Sequence, residues 1–442
     1  MPPEIISSIA QCALADGDLD PISIIPLTQV CQYWRDSFTS TPENWSLICS
    51  ERPELAELSL ERVKAAPLTV FLLFTLDREF ADLLLPYVQN IVSLSCVGFL
   101  SMEQLTQTLP YFPKSTPSLR SLSLASGSGQ ADWSHPVDPF DFSTHTALSE
   151  LSLSYVPLFP SILSLRTLTK LSLFDDDFQL PLDTLLNFFG ENRSLESATL
   201  AIKFVEPPLS RSQRQTPIKN ELKHLSIGSN DTTTIRALIS SIALQKGGTL
   251  EIDSGNSAGL THIFSGVSKN KLSILSSPTF MEYRHSQTSI RLLGPNGSFS
   301  YGSYTNSETP FDEFPILQLS SIRELRLQCH GPRTLTSFRL SFFPSLEILA
   351  INGCSSESFL SPVLPDPASS PSLRTLAFMD CDIAEDFLAH LAQIALYREK
   401  LRRVVIIDSN GQFPPAASIQ RLRECVPVVE VLEGKEFPKD LS

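Results

Sequence analysis

The sequence predicts an α/β chain: a three-helix amino-terminal domain, then an irregular solenoid with parallel strands on the concave face and helices and loops on the convex face. Three observations carry this expectation. A Leu-x-x-Leu-x-Leu phrase recurs ten times between Ile91 and Ile406. Amphipathic runs of helical period lie between several copies. The first 48 residues hold three short apolar stripes, too few to bury themselves.

The amino-terminal elements come first. Ile5, Ile6 and Ile9 fall at i, i+1 and i+4, while Leu27, Val30, Cys31 and Trp34 fall at i, i+3, i+4 and i+7, so each run lays one apolar stripe along a helix. Thr41-Pro42 ends the second helix, and a third turn beginning near Glu43 brings Trp45 and Ile48 back over both stripes. Part of this apolar surface needs cover from a partner or from the following domain. The alternative makes Trp34 and Trp45 core aromatics of a small helical cap.

The order Pro2-Pro3-Glu4-Ile5-Ile6, Val30-Cys31-Gln32-Tyr33-Trp34-Arg35, Pro42-Glu43-Asn44-Trp45 resembles an F-box. Met1 stands where that family opens with Leu, and Asn44 where it often has Leu. The resemblance implies a Skp1-type adaptor protein as partner, contacted by Pro2, Pro3, Ile5, Ile6, Ile9, Leu27, Val30, Cys31, Trp34, Pro42 and Trp45. It further implies a substrate-recognition subunit of an SCF-type ubiquitin ligase, with no active site of its own. Ala66-Pro67-Leu68-Thr69-Val70 is similar to an element that follows the hook in fungal-type F-box families.

The remainder is repetitive. Phrases start at Ile91, Leu119, Leu148, Leu168, Leu195 and Leu222, at intervals of 28, 29, 20, 27 and 27 residues, and resume at Ile322, Leu346, Leu373 and Leu401, at intervals of 24, 27 and 28. These spacings match leucine-rich repeats, in which alternate leucines of a short strand point inward and the next copy stacks its strand alongside. Helices are expected through Met102-Leu105-Leu109, capped by Ser101 with Gln104, and through Leu182 to Phe189, Ile235 to Ile242 and Ile383 to Ile394. Cys354, Cys381 and Asn230 sit three residues after a last strand position, where a side chain satisfies turn backbone. Domains are therefore expected at 1–50 (helical), 51–85 (a connecting helix through Leu55-Leu58-Leu60 and a first capping strand in Pro67 to Leu76) and 86–442 (solenoid). Between 255 and 311 the phrase fades, with weak strands near Leu250-Ile252, Leu272-Ile274 and Ile290-Leu292; Ser126 to His145, Glu206 to Asn220 and Ser355 to Ser372 read as loops.

Outward strand positions are small and polar in the first half (Ser121, Ser123, Ser152, Ser154, Ser172, Ser226) and larger in the last repeats. A protein substrate is expected on Glu324, Arg326, Gln328, Ile348, Asn352, Met379, Val405 and Ile407. A carboxyl-terminal tail folding over the same residues accounts for their character equally well.

Composition narrows the function. The 442 residues are 42% hydrophobic, enough for one large core or two. A net charge of −14 argues against nucleic acid or an anionic membrane as partner. The start of the chain lacks the pattern of a secretory leader, and the longest apolar run, Pro67 to Leu76, is short of the ~20 residues a spanning helix needs. A cytoplasmic or nuclear location follows as an expectation. The eight cysteines include no Cys-x-x-Cys pair, so no zinc site, disulfide framework or cofactor is expected.

Three motifs carry weaker chemistry. Gly255-Asn256-Ser257-Ala258-Gly259 fits a hydrolase nucleophile elbow, with Asp380 or Asp382 and then His390 following in order, but no His-Gly-Gly oxyanion segment precedes it. Asp175-Asp176-Asp177 reads as a solvated turn before it reads as a metal site. Arg211, Arg214 and Lys219 suit an acidic target, or a solvated loop. Besides the adaptor reading, a repeat scaffold unconnected to ubiquitin and, remotely, a serine hydrolase using Ser257 remain as alternatives.

Overall fold

A computed structural model describes residues 2, 4–6, 8–9, 12, 25–73, 78–99, 116–126, 145–156, 161–178, 181–204, 218–229, 231–254, 260–264, 267, 275–284, 289–303, 319–328, 340–353, 370–381, 383, 385–408, 414–434, 437–438 and 441. The chain forms two compact units, Met1–Glu206 and Pro207–Ser442. Seventeen strands are described, seven in the first unit and ten in the second, in mostly parallel ladders, so the fold is α/β.

The first unit opens with helical residues at 4–6, 8, 9 and 12. Helices α1 (Ile25–Thr28) and α2 (Gln32–Ser40) and a 3-10 turn, Pro42–Trp45, follow. The stripe expected to run unbroken from Leu27 to Trp34 is in fact interrupted. The Thr28 hydroxyl donates back to the Ile25 carbonyl, and Cys31 adopts extended backbone as the N-cap of α2. A Thr side chain that bonds its own turn competes with helix continuation. The stop at Thr41-Pro42 and the turn through Glu43 fall as the spacing predicts.

Strand β1 (Leu47–Cys49) then enters the sheet directly, before helix α3 (Pro53–Val63), which is the helix expected through Leu55-Leu58-Leu60. β2 (Leu68–Leu73) pairs with β1 in parallel and is thus second in the ladder rather than first. Helix α4 (Arg78–Leu84) leads to β3 (Ile91–Phe99), then β4 (Ser121–Ser126), β5 (Glu150–Ser154), β6 (Lys170–Phe178), helix α5 (Leu182–Glu191) and β7 (Ser197–Phe204). Each pairs in parallel with the next, in register phrase on phrase: Leu94, Leu122, Leu151, Leu171 and Ala198 form one row, and Cys96, Leu124, Leu153, Leu173 and Leu200 the next. All ten are buried. Asp175-Asp176-Asp177 lies within β6 rather than in a turn after it.

The second unit repeats the device with one departure. Strands β8 (Ile218–Gly228) and β9 (Ile242–Ser254) flank helix α6 (Thr232–Ser241); β8 begins inside the segment expected to be a loop. After α7 (Leu260–Phe264) come β10 (Phe280–Arg284), β11 (Ser289–Gly294) and β12 (Gly297–Ser303), a meander where the phrase had faded. β12 pairs with β9 in parallel, β11 runs against both β12 and β10, and β10 pairs in parallel with β13 (Glu324–Gln328). Only β11 is reversed, so the meander lengthens the sheet and hands the original polarity on. Its turn opposes Gly294 to Gly297, and Gly297 has φ 133°, which favours a residue without Cβ. The two residues between these glycines, Pro295-Asn296, form the turn, flanked by alternating Ile290, Leu292, Phe299 and Tyr301.

β14 (Ile348–Asn352), β15 (Thr375–Met379), helix α8 (Glu385–Tyr397), β16 (Arg403–Asp408), helix α9 (Ala416–Cys425) and β17 (Val428–Glu433) complete a parallel series from β13. Phe387 of α8 meets Phe378 of β15 edge-on at 5.1 Å, covering the leucine face. The Cys381 thiol donates to the carbonyls of Ile351 and Met379, the turn-satisfying role its spacing predicts. Cys354, Asn230, Met102-Leu105-Leu109, Ser101 with Gln104 and Leu272-Ile274 lie outside the described residues.

A recurring turn precedes the strands that the phrase alone did not show. The phrase-opening residue donates its N–H to the carbonyl three residues back: Leu119 to Thr116, Leu148 to His145, Leu195 to Asn192, Leu346 to Phe343, Leu373 to Ser370 and Leu401 to Arg398. Every accepting residue is buried. Thr116 Oγ1 and His145 Nδ1 lie 3.1 Å apart, and Arg398 Nη1 donates to the Ser370 carbonyl at 3.0 Å, so polar groups at this position satisfy one another from repeat to repeat.

Asp231 caps α6 by accepting from the N–H groups of Thr233 and Thr234. Its partial burial acts to raise the carboxyl pKa, but hydrogen bonds from the Thr234 and Thr233 hydroxyls and N–H groups outweigh it and hold the pKa below its ordinary value. Asp231→Ala should lower stability at neutral pH by about 1 kcal/mol in denaturant titration. Because the folded pKa is depressed, that contribution is complete above the ordinary carboxylate range. It should disappear as the pH falls through the folded value, leaving wild type and variant equal in acid.

Candidate functional site

Two surfaces stand out, one in each unit. In the first, Phe38 is fully buried and packs edge-on against Trp45 at 5.6 Å, and the Arg62 guanidinium of α3 lies 4.3 Å from the Trp45 ring centroid. Asn44, also fully buried, donates to the Phe38 carbonyl at 3.2 Å. The ring of Trp45 is therefore held by its own chain.

The expected adaptor contacts divide accordingly. Ile6 and Trp45 are buried at 0% and 3% exposure and belong to the core, which corrects their assignment to an outer face. Ile5, Ile9 and Val30 are bare at 48%, 38% and 59%. Pro2 and Cys31 are exposed, Leu27, Trp34 and Pro42 are half-buried, and Pro3 lies outside the described residues. Ile25 and Tyr33, which sequence reasoning missed, are exposed as well. Tyr33, three residues after Val30, could have been found by asking which apolar positions the Phe38–Trp45 core leaves out. Five of the twelve exposed large apolar side chains among the described residues thus fall within the first 33 positions. Arg35 Nε donates to the Thr28 carbonyl at 3.0 Å and ties α2 to α1, so Val30 and Tyr33 are held outward by a fixed turn.

The second surface is the face of β13–β16 opposite the leucines. Of the residues expected to meet a substrate, Glu324, Arg326, Gln328 and Asn352 are half-buried, whereas Ile348, Met379, Val405 and Ile407 are buried. They form one cluster with Ala350, Ala377 and Leu441, with Phe437 packed against it. As an open substrate surface these four positions are corrected: Leu441 shares their cluster and Phe437 packs against it. Sequence reasoning passed over Ala350 and Ala377, whose signal is an apolar residue at the central outward position of three successive strands, and over Phe437 and Leu441, the large apolar residues after Glu433.

The motifs with catalytic promise receive no assembled site. Ser257 and its flanking glycines, Asp382, Arg211 and Arg214 lie outside the described residues. His390 Nδ1 sits 2.9 Å from the Asp386 carbonyl of its own helix. Among the described residues no three His, Cys, Asp or Glu side chains gather closely enough to hold a metal ion, and no helix is long and apolar enough to cross a membrane. Cys96 is fully buried, and burial pushes its thiol pKa well above the usual range. No protein-family model matches the chain, and no curated protein does.

Trp45→Ala should cost about 3–5 kcal/mol, because it empties a filled pocket, whereas Val30→Ala should stay within about 0.5 kcal/mol in the same denaturation experiment. Under native conditions a maleimide should label Cys12 and Cys31 and leave Cys49 and Cys96 unmodified until denaturant is added, read by mass spectrometry.

Proposed function

We propose that the chain is the substrate-recognition subunit of an SCF-type ubiquitin ligase, with an F-box at its amino end and an irregular leucine-rich-repeat solenoid behind it. The observation that supports this best is the concentration of exposed apolar side chains at Ile5, Ile9, Ile25 and Val30, close in sequence to Ile6, Phe38 and Trp45, which are buried. A surface of that kind loses free energy to water unless another polypeptide covers it. The ordered sequence elements resembling an F-box name a Skp1-type adaptor as the cover. Binding would be carried by a few of these side chains, with Leu27 and Trp34 contributing their open edges.

The ladder supports the second half of the proposal. Phrases that stack in register build a long, rigid strand face, which suits a protein that holds a target. The outward row Ser123, Ser152 and Ser172 offers hydroxyls on a rigid frame.

The decisive measurement is copurification of the full chain with a Skp1-type adaptor. Wild type should retain the adaptor, and Ile9→Asp or Val30→Asp should reduce retention at least tenfold with an unchanged melting temperature. Folded wild-type protein that retains none would remove the ligase reading and leave a binding scaffold.

A further inference from the structure

The second unit carries an interaction surface of a different kind. In β14, β15 and β16 the strands align Ala350, Ala377 and Val405 in one cross-strand row and Met379 with Ile407 in the next, with Ile348 alongside. The equivalent row in the first unit, Ser123, Ser152 and Ser172, is polar and half-exposed. Ala350, Ala377 and Val405 are at 0% exposure, although they point away from the leucine core. Ion pairs border this apolar floor on both sides. Arg326 Nη2 meets Glu324 Oε1 at 2.6 Å on β13, and Arg403 meets Glu430 through two contacts of 3.2 and 3.0 Å between β16 and β17. A greasy floor between charged rims has the anatomy of a recognition groove.

The groove's occupant is the carboxyl-terminal segment. β17 ends at Glu433, and the following segment, Gly434-Lys435-Glu436-Phe437-Pro438-Lys439-Asp440-Leu441, has two large apolar residues spaced i, i+4. Leu441 is 1% exposed within the floor cluster, and Phe437 packs against the same cluster with its ring 5.8 Å from the Arg326 guanidinium. Among the described residues, no hydrogen bond ties Phe437, Pro438 or Leu441 to the strands. Among the described residues, Phe437 and Leu441 meet the floor through side-chain packing and not through a strand ladder, a hold that can open while the strands beneath stay paired.

We propose that this face is a peptide-binding groove whose resident ligand is the chain's own carboxyl-terminal segment. It accepts from a target protein a linear segment with an aromatic side chain and, four residues later, an aliphatic one, separated by proline and charged residues. Phe437 and Leu441 show the chemistry of the two anchors. The tethered tail competes at a high effective concentration, so the groove selects targets that match both anchors or that arrive when the tail is released. The proposal concerns the second unit alone and goes beyond the adaptor reading, since it holds whether or not the amino-terminal helices engage an adaptor.

The test uses a fluorescent peptide of residues 433–442 and the full chain. Phe437→Ala/Leu441→Ala protein should bind the peptide saturably and at least tenfold more tightly than wild type, and a peptide with both anchors replaced by Ala should not bind. A folded double variant that ignores the peptide, or that binds it no better than wild type, overturns the proposal. If the double variant does not fold, amide exchange on the wild-type chain decides. The amides of Phe437 and Leu441 should exchange at least tenfold faster than those of Ala350, Ala377 and Val405. Exchange at the same rate as those strands would make the tail an inseparable part of the core and overturn the groove. Adaptor copurification serves as the independent readout: its failure alone touches only the ligase reading.

Discussion

No strand of this protein can bury its own leucines. A copy such as β5 offers Leu151 and Leu153 to one side of a single extended segment, and those side chains leave water only because Leu122 and Leu124 stand beside them on one flank and Leu171 and Leu173 on the other. Each copy is stable through its neighbours, so register is the constraint everything else obeys. The turn before each strand serves it. Before β4, β5, β7, β14, β15 and β16 the N–H of the phrase-opening residue closes onto the carbonyl three residues earlier and starts these strands at the same level. The second unit shows how strict the rule is: a three-stranded meander enters the series, yet two reversals in succession return β10 to the polarity that β13 requires.

Meeting that constraint consumes only one face of the strands, so the other face is free to differ. In the first unit it carries Ser123, Ser152 and Ser172 beside a Glu150–Lys170 pair at 2.6 Å, a surface at ease in water. In the second it carries alanine, valine and isoleucine and is sealed by Phe437 and Leu441. The amino-terminal helices present the same contrast within fewer residues. Phe38 and Trp45 pack inward with Arg62 over the Trp45 ring, while Val30 is exposed two residues before the start of α2.

Much of the architecture was legible because periodicity is local. Period-two leucines marked β4 to β7 and β13 to β16, and period-3.6 apolar runs marked α5, α6 and α8. The meander was legible in part: alternation marked weak strands at Leu250-Ile252 and Ile290-Leu292, which lie in β9 and β11, but without the repeating phrase nothing local set their order or polarity. The break at Cys31 was harder to read: Leu27, Val30, Cys31 and Trp34 keep helical spacing along the sequence, yet Cys31 is extended and the Thr28 hydroxyl turns back onto the Ile25 carbonyl.

Local residue order fixes which side chains alternate, where turns can form and that both ends of the chain carry more apolar surface than their elements can use. Tertiary structure alone decided how that surplus is spent, because burial depends on which segments meet in space. Ile6 and Trp45 went inward while Ile5 and Val30 stayed out, and Ile348, Met379, Val405 and Ile407 found their cover in a tail that follows them by as much as 93 residues, from Ile348 to Leu441.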